Sequence, residues 1–211
     1  MMRLRDVTLA RDGNPVFREI SLELTEARIG LIGSNGCGKS SMLRLLKGLL
    51  RPDAGSVETG GSCGLVFQNP DHQILFPTVM EELCFGMLEQ GIDLSLAQSK
   101  AGELLAAHGL VAMQSRATHE LSDGQKQLLC LMSVLADGAD ILLLDEPCAS
   151  LDRATTRQVM SMISGLPQQV LMASHHLELL EDFDRVIWMA SGRVRMDDLP
   201  GPVLAAYRAH C

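Results

Sequence analysis

Apolar and polar residues alternate along ISLEL (20–24), the pattern of a half-buried strand. LRDVTLA (4–10) reads as its partner, across the turn RDGNP (11–15). RIGLIG (28–33) is a short apolar strand ending in glycine. SMLRLLKGLL (41–50) has helical spacing and closes at RPDAG (51–55). SVETG (56–60) and CGLVFQ (63–68) are further strands. From Thr78 to about Leu121 the pattern is helical, with capping boxes at Thr78/Glu81 and Ser95/Gln98. A helix from Ser122 to about Ala136, the strand ILLLDEP (141–147) and a helix from Asp152 to about Ser164 follow. The strand VLMAS (170–174), a short helix LELLEDF (177–183) and the hairpin RVIWMASGRVRM (185–196) complete the pattern. Several strands are apolar without polar alternation, which predicts a parallel sheet covered on both faces. The N-terminal pieces predict an antiparallel side sheet, and residues 78–135 a helical insertion in an α/β core.

Composition narrows the partners. The chain has 211 residues, 46% of them hydrophobic, enough for one domain with a full core. Its net charge of −8 argues against a nucleic-acid backbone as partner. The six cysteines are scattered, with no C-x-x-C pair, so they predict reduced thiols rather than a disulfide frame or zinc site. The start MMRLRD has no apolar run behind it, and no stretch approaches the about 18 residues of a membrane span. A soluble protein is expected, or one held at a membrane through a partner.

Two segments carry phosphate chemistry. GSNGCGKSS matches G-x-x-x-x-G-K-[ST] between a strand and a helix. In that context Gly33, Ser34, Asn35, Gly36, Cys37, Gly38, Lys39, Ser40 and Ser41 form a cradle of backbone N–H groups for a nucleotide's phosphates. Lys39 aims a charge at the β- and γ-phosphates, and Ser40 offers a hydroxyl to Mg²⁺. ILLLDE ends in two acids where a parallel sheet binds ligands, beyond the carboxyl ends of its strands. Asp145 is placed to hold Mg²⁺ through water. Glu146 points differently and can act as general base toward a water. LSDGQ (121–125) has two readings. Ser122 and Gln125 form an S-x-x-Q helix cap. Gly124 equally lets a phosphate approach a helix start.

Cradle, LSDGQ and LLLDEP in this order resemble the nucleotide-binding domain of ATP-binding-cassette (ABC) proteins. The resemblance implies an α/β P-loop NTPase of ABC type. It has a mainly parallel core sheet, an antiparallel β side sheet and a helical subdomain near 78–135, in one nucleotide-binding domain spanning 1–211. It implies ATP and Mg²⁺ as ligands and ATP hydrolysis as the activity. Gln68 matches the Q-loop glutamine, which touches Mg²⁺ and the water. CASLD (148–152) resembles the D-loop, and His175 matches the histidine that contacts the γ-phosphate. Ser122, Asp123, Gly124 and Gln125 fall on the signature, which closes over ATP held by a second copy, or by a similar ATPase, in a head-to-tail dimer. VFQNPDHQILFPTVMEEL (66–83) resembles the Q-loop region of energy-coupling-factor transporter ATPases. That implies an importer of a vitamin, biotin favoured, or of nickel or cobalt. Its partners are a transmembrane coupling subunit and a substrate-binding membrane subunit, and its place is the cytoplasmic face of the cell membrane. The set Val79, Met80, Leu83, Met87 and Leu88 suits either that contact or the protein's own core.

Some positions depart from the family pattern. Arg11 stands where an aromatic residue usually stacks on adenine, and a guanidinium contributes less there. Asp123 replaces the commoner signature glycine, Leu128 a basic residue, and His176 an acid. Cys37 and Cys148 stand where serine and threonine are common. Either a thiol acidified by a helix start or a small residue that merely fits accounts for them. Two other functions compete: a soluble ABC ATPase in a non-transport process, and a P-loop switch or kinase. The signature and His175 argue against the last.

Overall fold

The computed structural model describes residues 1–210. In chain order the strands are β1 (Met2–Arg11), β2 (Asn14–Leu24), β3 (Arg28–Ile32), β4 (Ala54–Thr59), β5 (Cys63–Val66), β6 (Ile141–Asp145), β7 (Gln169–Ala173), β8 (Arg185–Ala190) and β9 (Arg193–Asp198). The helices are α1 (Lys39–Lys47), α2 (Val79–Glu89), α3 (Leu94–Ala107), α4 (Asp123–Ala136), α5 (Arg153–Gly165) and α6 (Pro200–His210). The chain divides into two compact units. The first holds residues 1–65, 140–149 and the chain from 167 onward. The second holds 66–139 and 150–166. No helix among the described residues is long and apolar enough to cross a membrane.

The first unit is built on sheets. β2, β1 and β4 form an antiparallel sheet in that order. LRDVTLA does not alternate cleanly because β1 shifts register between Leu4 and Val7. Asp6 takes a left-handed φ of 49°, so the strand bulges and Val7 returns to the buried face. The larger sheet has the order β5-β6-β7-β3-β8-β9. β6, β7, β3 and β8 run parallel, and β9 returns antiparallel. Leu142–Leu144, Val170–Met172, Ile29 and Leu31 have no exposed surface, as expected for strands covered on both faces. β6, β7 and β3 are neighbours, so their carboxyl ends open side by side.

α1 stops at Lys47, before the predicted Leu50. Gly48 adopts φ 81° and its N–H reaches the carbonyls of Arg44 and Leu45, a left-handed C-cap. LELLEDF makes only a 3-10 turn over Leu177–Leu180. α6 was not expected, because PGP at its start reads as a loop. Proline is well tolerated in a first helical turn, and burial of Val203 and Leu204 secures the helix.

The second unit is helical. The predicted stretch 78–121 is broken at Gly91 and Gly109, both with positive φ. Thr78 caps α2 through its hydroxyl, which accepts the Glu81 N–H. Glu81's carboxylate accepts from that hydroxyl instead of reaching the backbone, so only half the expected box forms. Ser95 and Gln98 make no box. Asp93 caps α3, accepting from the Ser95 N–H and hydroxyl, because a carboxylate two residues earlier reaches both.

Candidate nucleotide site

The first unit gathers the predicted phosphate residues at three strand ends. The cradle leaves β3 at Gly33 and enters α1 at Lys39. Gly38 sits at the helix cap with φ 109°. A Cβ there would lie 2.5 Å from the Phe17 ring, so this turn excludes a side chain twice over. Ser34, Asn35 and Gly36 are exposed, Cys37 and Gly38 are buried, and Ser40 and Ser41 are half-buried. Lys39 is buried, its ammonium donating to the Gly33 carbonyl at 2.8 Å.

The acids meet the cradle from β6. The Ser40 hydroxyl donates to Asp145 Oδ1 at 3.0 Å. Burial pushes the Asp145 carboxyl above the usual range, and the nearby Glu146 charge adds to this, while the Ser40 hydrogen bond opposes both. Glu146 follows with a left-handed φ of 53°, and its N–H donates to the Ala173 carbonyl. Its carboxylate is buried. Oε1 lies 3.9 Å from Lys39 Nζ, and Oε2 accepts from the His175 N–H at 3.1 Å and faces His175 Nδ1 at 2.5 Å. His176 stacks on His175 with ring centroids 4.0 Å apart. The arrangement offers a buried cation, a carboxylate for proton transfer and a half-exposed imidazole.

Arg11 is exposed at the end of β1, paired with Asn14. The thiols are not acidified. Burial raises both Cys37 and Cys148, the latter to about 11. Desolvation of the thiolate outweighs the helix start and the nearby lysine, so a small residue that fits is the better account.

The second unit holds the remaining predicted residues. Ser122 caps α4: its hydroxyl accepts the Gln125 N–H at 3.3 Å, and Gln125 Oε1 accepts the Ser122 N–H at 3.1 Å. The full capping box is present. Arg116 donates to the same Gln125 Oε1 at 3.0 Å. Asp123 is exposed in the first turn, where its charge favours the positive helix end. Gly124 is buried, and so is Leu128. Gln68 is exposed after β5. The segment around it is tied to α4 by several links. Gln73 Oε1 accepts the Phe67 N–H and its amide donates to the Cys130 carbonyl. Gln127 donates to the Phe67 carbonyl, and Lys126 pairs with Asp71 at 2.6 Å. Gln127 and Lys126 were not singled out in the sequence, since a polar residue on a helix carries no mark of a distant carbonyl.

Of the five apolar residues weighed for a partner contact, Val79, Leu83 and Met87 are core, at 0–2% exposure. Their i, i+4, i+8 spacing puts them on one inward face. Leu88 is exposed, and so are Leu75 and Phe85. Leu75 also lines a cavity of about 430 Å³, with Asp71, Ile74, Pro77, His119 and Lys126 among others.

Residues 17–149 match the model of the family described as ABC transporter. The chain belongs to this family. It is an ABC-type ATPase, with the P-loop α/β fold expected of one. It is 44% identical to the biotin transport ATP-binding protein BioM of Rhodobacter capsulatus, over 96% of this chain and 92% of that one. It is 32% identical to the energy-coupling factor transporter ATP-binding protein EcfA of Methanothermobacter thermautotrophicus, over 95% and 71%. Among solved structures it resembles CbiO1 of Clostridium perfringens, described as part of the ABC transporter complex CbiONQ. The TM-score is 0.86 at 24% identity, over 99% and 92% of the two chains. That likeness speaks to the ABC fold.

Proposed function

We propose that this chain is the ATP-hydrolysing subunit of an importer of the energy-coupling-factor type, with biotin as the solute. The observation that carries the solute is its 44% identity, over nearly the full length, to a biotin transport ATP-binding protein. Nickel or cobalt is the second reading.

The site fits the chemistry. A cradle that excludes side chains at Gly38 suits close backbone contact with phosphates. A buried Asp145 bonded to a serine hydroxyl suits a divalent cation, which would supply charge to offset the phosphates. Ser40 and Asp145 would hold Mg²⁺. Lys39 binds the β- and γ-phosphates. Glu146 takes the proton of the attacking water. Its second oxygen stays bonded to His175, which keeps the carboxylate aimed and can itself face the γ-phosphate. Ser122 and Gly124, at the start of α4, close over ATP held by the cradle of a second copy. Arg11 lies against the adenine.

The groove beside Leu75 and Lys126 faces the transmembrane subunit in this reading. Its exposed leucine offers apolar contact and the Lys126–Asp71 pair a polar rim. Asp71 pairs with Lys126 of α4 and Gln73 donates to the Cys130 carbonyl there, so docking beside them reaches the signature helix within one unit. The chain thus acts at the cytoplasmic face of the cell membrane, bound to the transmembrane subunit and a solute-binding membrane subunit.

The test is deletion of the gene in a biotin-requiring host. Uptake of labelled biotin should fall to background and return with the wild-type chain but not with Glu146→Gln. Unchanged biotin uptake, with loss of nickel or cobalt uptake, would replace the solute. Purification of the native chain without any membrane subunit would remove the transport reading.

A further inference from the structure

The signature glycine is buried against a neighbour in its own unit. A Cβ on Gly124 would lie 2.5 Å from Thr155 Cγ2 and 3.3 Å from Thr155 Oγ1. Thr155 stands in the first turn of α5. Asp152 holds its backbone and, through the hydroxyl, its side chain. Asp152 Oδ1 accepts the N–H groups of Ala154 and Thr155 at 2.8 and 2.9 Å. Asp152 Oδ2 accepts the Thr155 hydroxyl at 3.3 Å. A β-branched side chain has few χ1 choices to begin with.

We propose that Thr155 is a positioning residue for the signature: Asp152, at the end of CASLD, sets the Thr155 rotamer, and the Thr155 methyl sets how the start of α4 presents its N–H groups. Gly124 is therefore required by Thr155 as well as by any phosphate. Movement of the CASLD segment passes to the signature through one methyl contact. The proposal rests on the shared-site reading, in which the start of α4 serves ATP held by the other copy.

The experiment measures ATP trapped per dimer and ATP hydrolysis in four proteins. Gly124→Ala should lower both by about 10-fold or more, the size of coupling between touching residues. Gly124→Ala with Thr155→Ser removes the methyl and keeps the hydroxyl bond to Asp152. It should recover most of the loss. Gly124→Ala with Thr155→Val keeps a methyl and loses the hydroxyl, and should recover none. A folded Thr155→Ser double variant that stays as impaired as Gly124→Ala overturns the proposal, and so does an unimpaired Gly124→Ala. If Gly124→Ala alone does not fold, a folded and ATP-trapping Thr155→Ser double variant supports the contact, and an unfolded one overturns it. The shared-site reading is tested separately by mixing Gly124→Ala with Lys39→Ala chains. Absence of any regained trapping there refutes that reading, whatever the Thr155→Ser result.

Discussion

The two units present their candidate residues in different ways. In the first, Lys39, Ser40, Asp145, Glu146 and His175 come from the ends of three adjacent strands and bond to one another directly. In the second, Ser122 and Gln125 bond to each other, Gln125 also accepts from Arg116, and Gly124 packs on Thr155. The first group is geometrically closed. The second is a capped helix start. A site made from strand ends can hold charged groups against each other. A helix start can only offer dipoles to something brought from elsewhere.

The largest predicted effect tests the closed group. Glu146→Gln should lower ATP hydrolysis by about 10²-fold or more, the size of a general-base contribution. ATP binding should persist, whereas Lys39→Ala should weaken binding itself. Hydrolysis rates with equilibrium binding of a labelled ATP distinguish the two. Wild-type turnover in Glu146→Gln would remove it from the role of base.

The next prediction tests the open group. Ser122→Arg and Lys39→Ala homodimers should each trap no ATP. A tagged mixed dimer joins one intact cradle to one intact signature, so it should trap about one ATP, as the phosphate-clamp logic requires. If Ser122 only caps α4, Ser122→Arg should instead cost about 1 kcal/mol of stability and leave trapping intact.

The smallest effect concerns Arg11. Arg11→Ala should weaken ATP binding by about 0.5–1 kcal/mol, the range of exposed cation–π contacts, and Arg11→Tyr should restore it. Titration calorimetry would resolve this. No change in either variant would place the adenine on another residue.

Much of the first unit was legible because its strands are short apolar runs with chemistry at the last residue. GLIGSNGCGKS and LLLDE carry both the fold and the site in one segment. α6 was not legible, since PGPVLAAYRAH opens on loop-forming residues and is fixed as a helix by what Val203 and Leu204 pack against. The helix stop at Gly48 was overrun because Leu49 and Leu50 continue the apolar pattern past it. The cap at Asp93 was missed because Ser95 and Gln98 imitate a capping box. The ties from Gln127 and Lys126 to residues 67 and 71 lie about 55–60 positions apart in sequence and leave no local trace. The burial of Val79, Leu83 and Met87 was an open alternative, because an apolar helix face looks the same whether a partner or the core covers it.

Glu146 holds a left-handed backbone, a conformation that costs a residue with a side chain about 1–2 kcal/mol. Glycine would meet no such penalty, and asparagine a smaller one. Backbone conformation alone therefore gives no reason for glutamate at this turn. A redesign guided only by backbone strain would be drawn to position 146 and would replace the proposed proton acceptor first. A glutamate at this turn answers a demand that melting temperature does not measure.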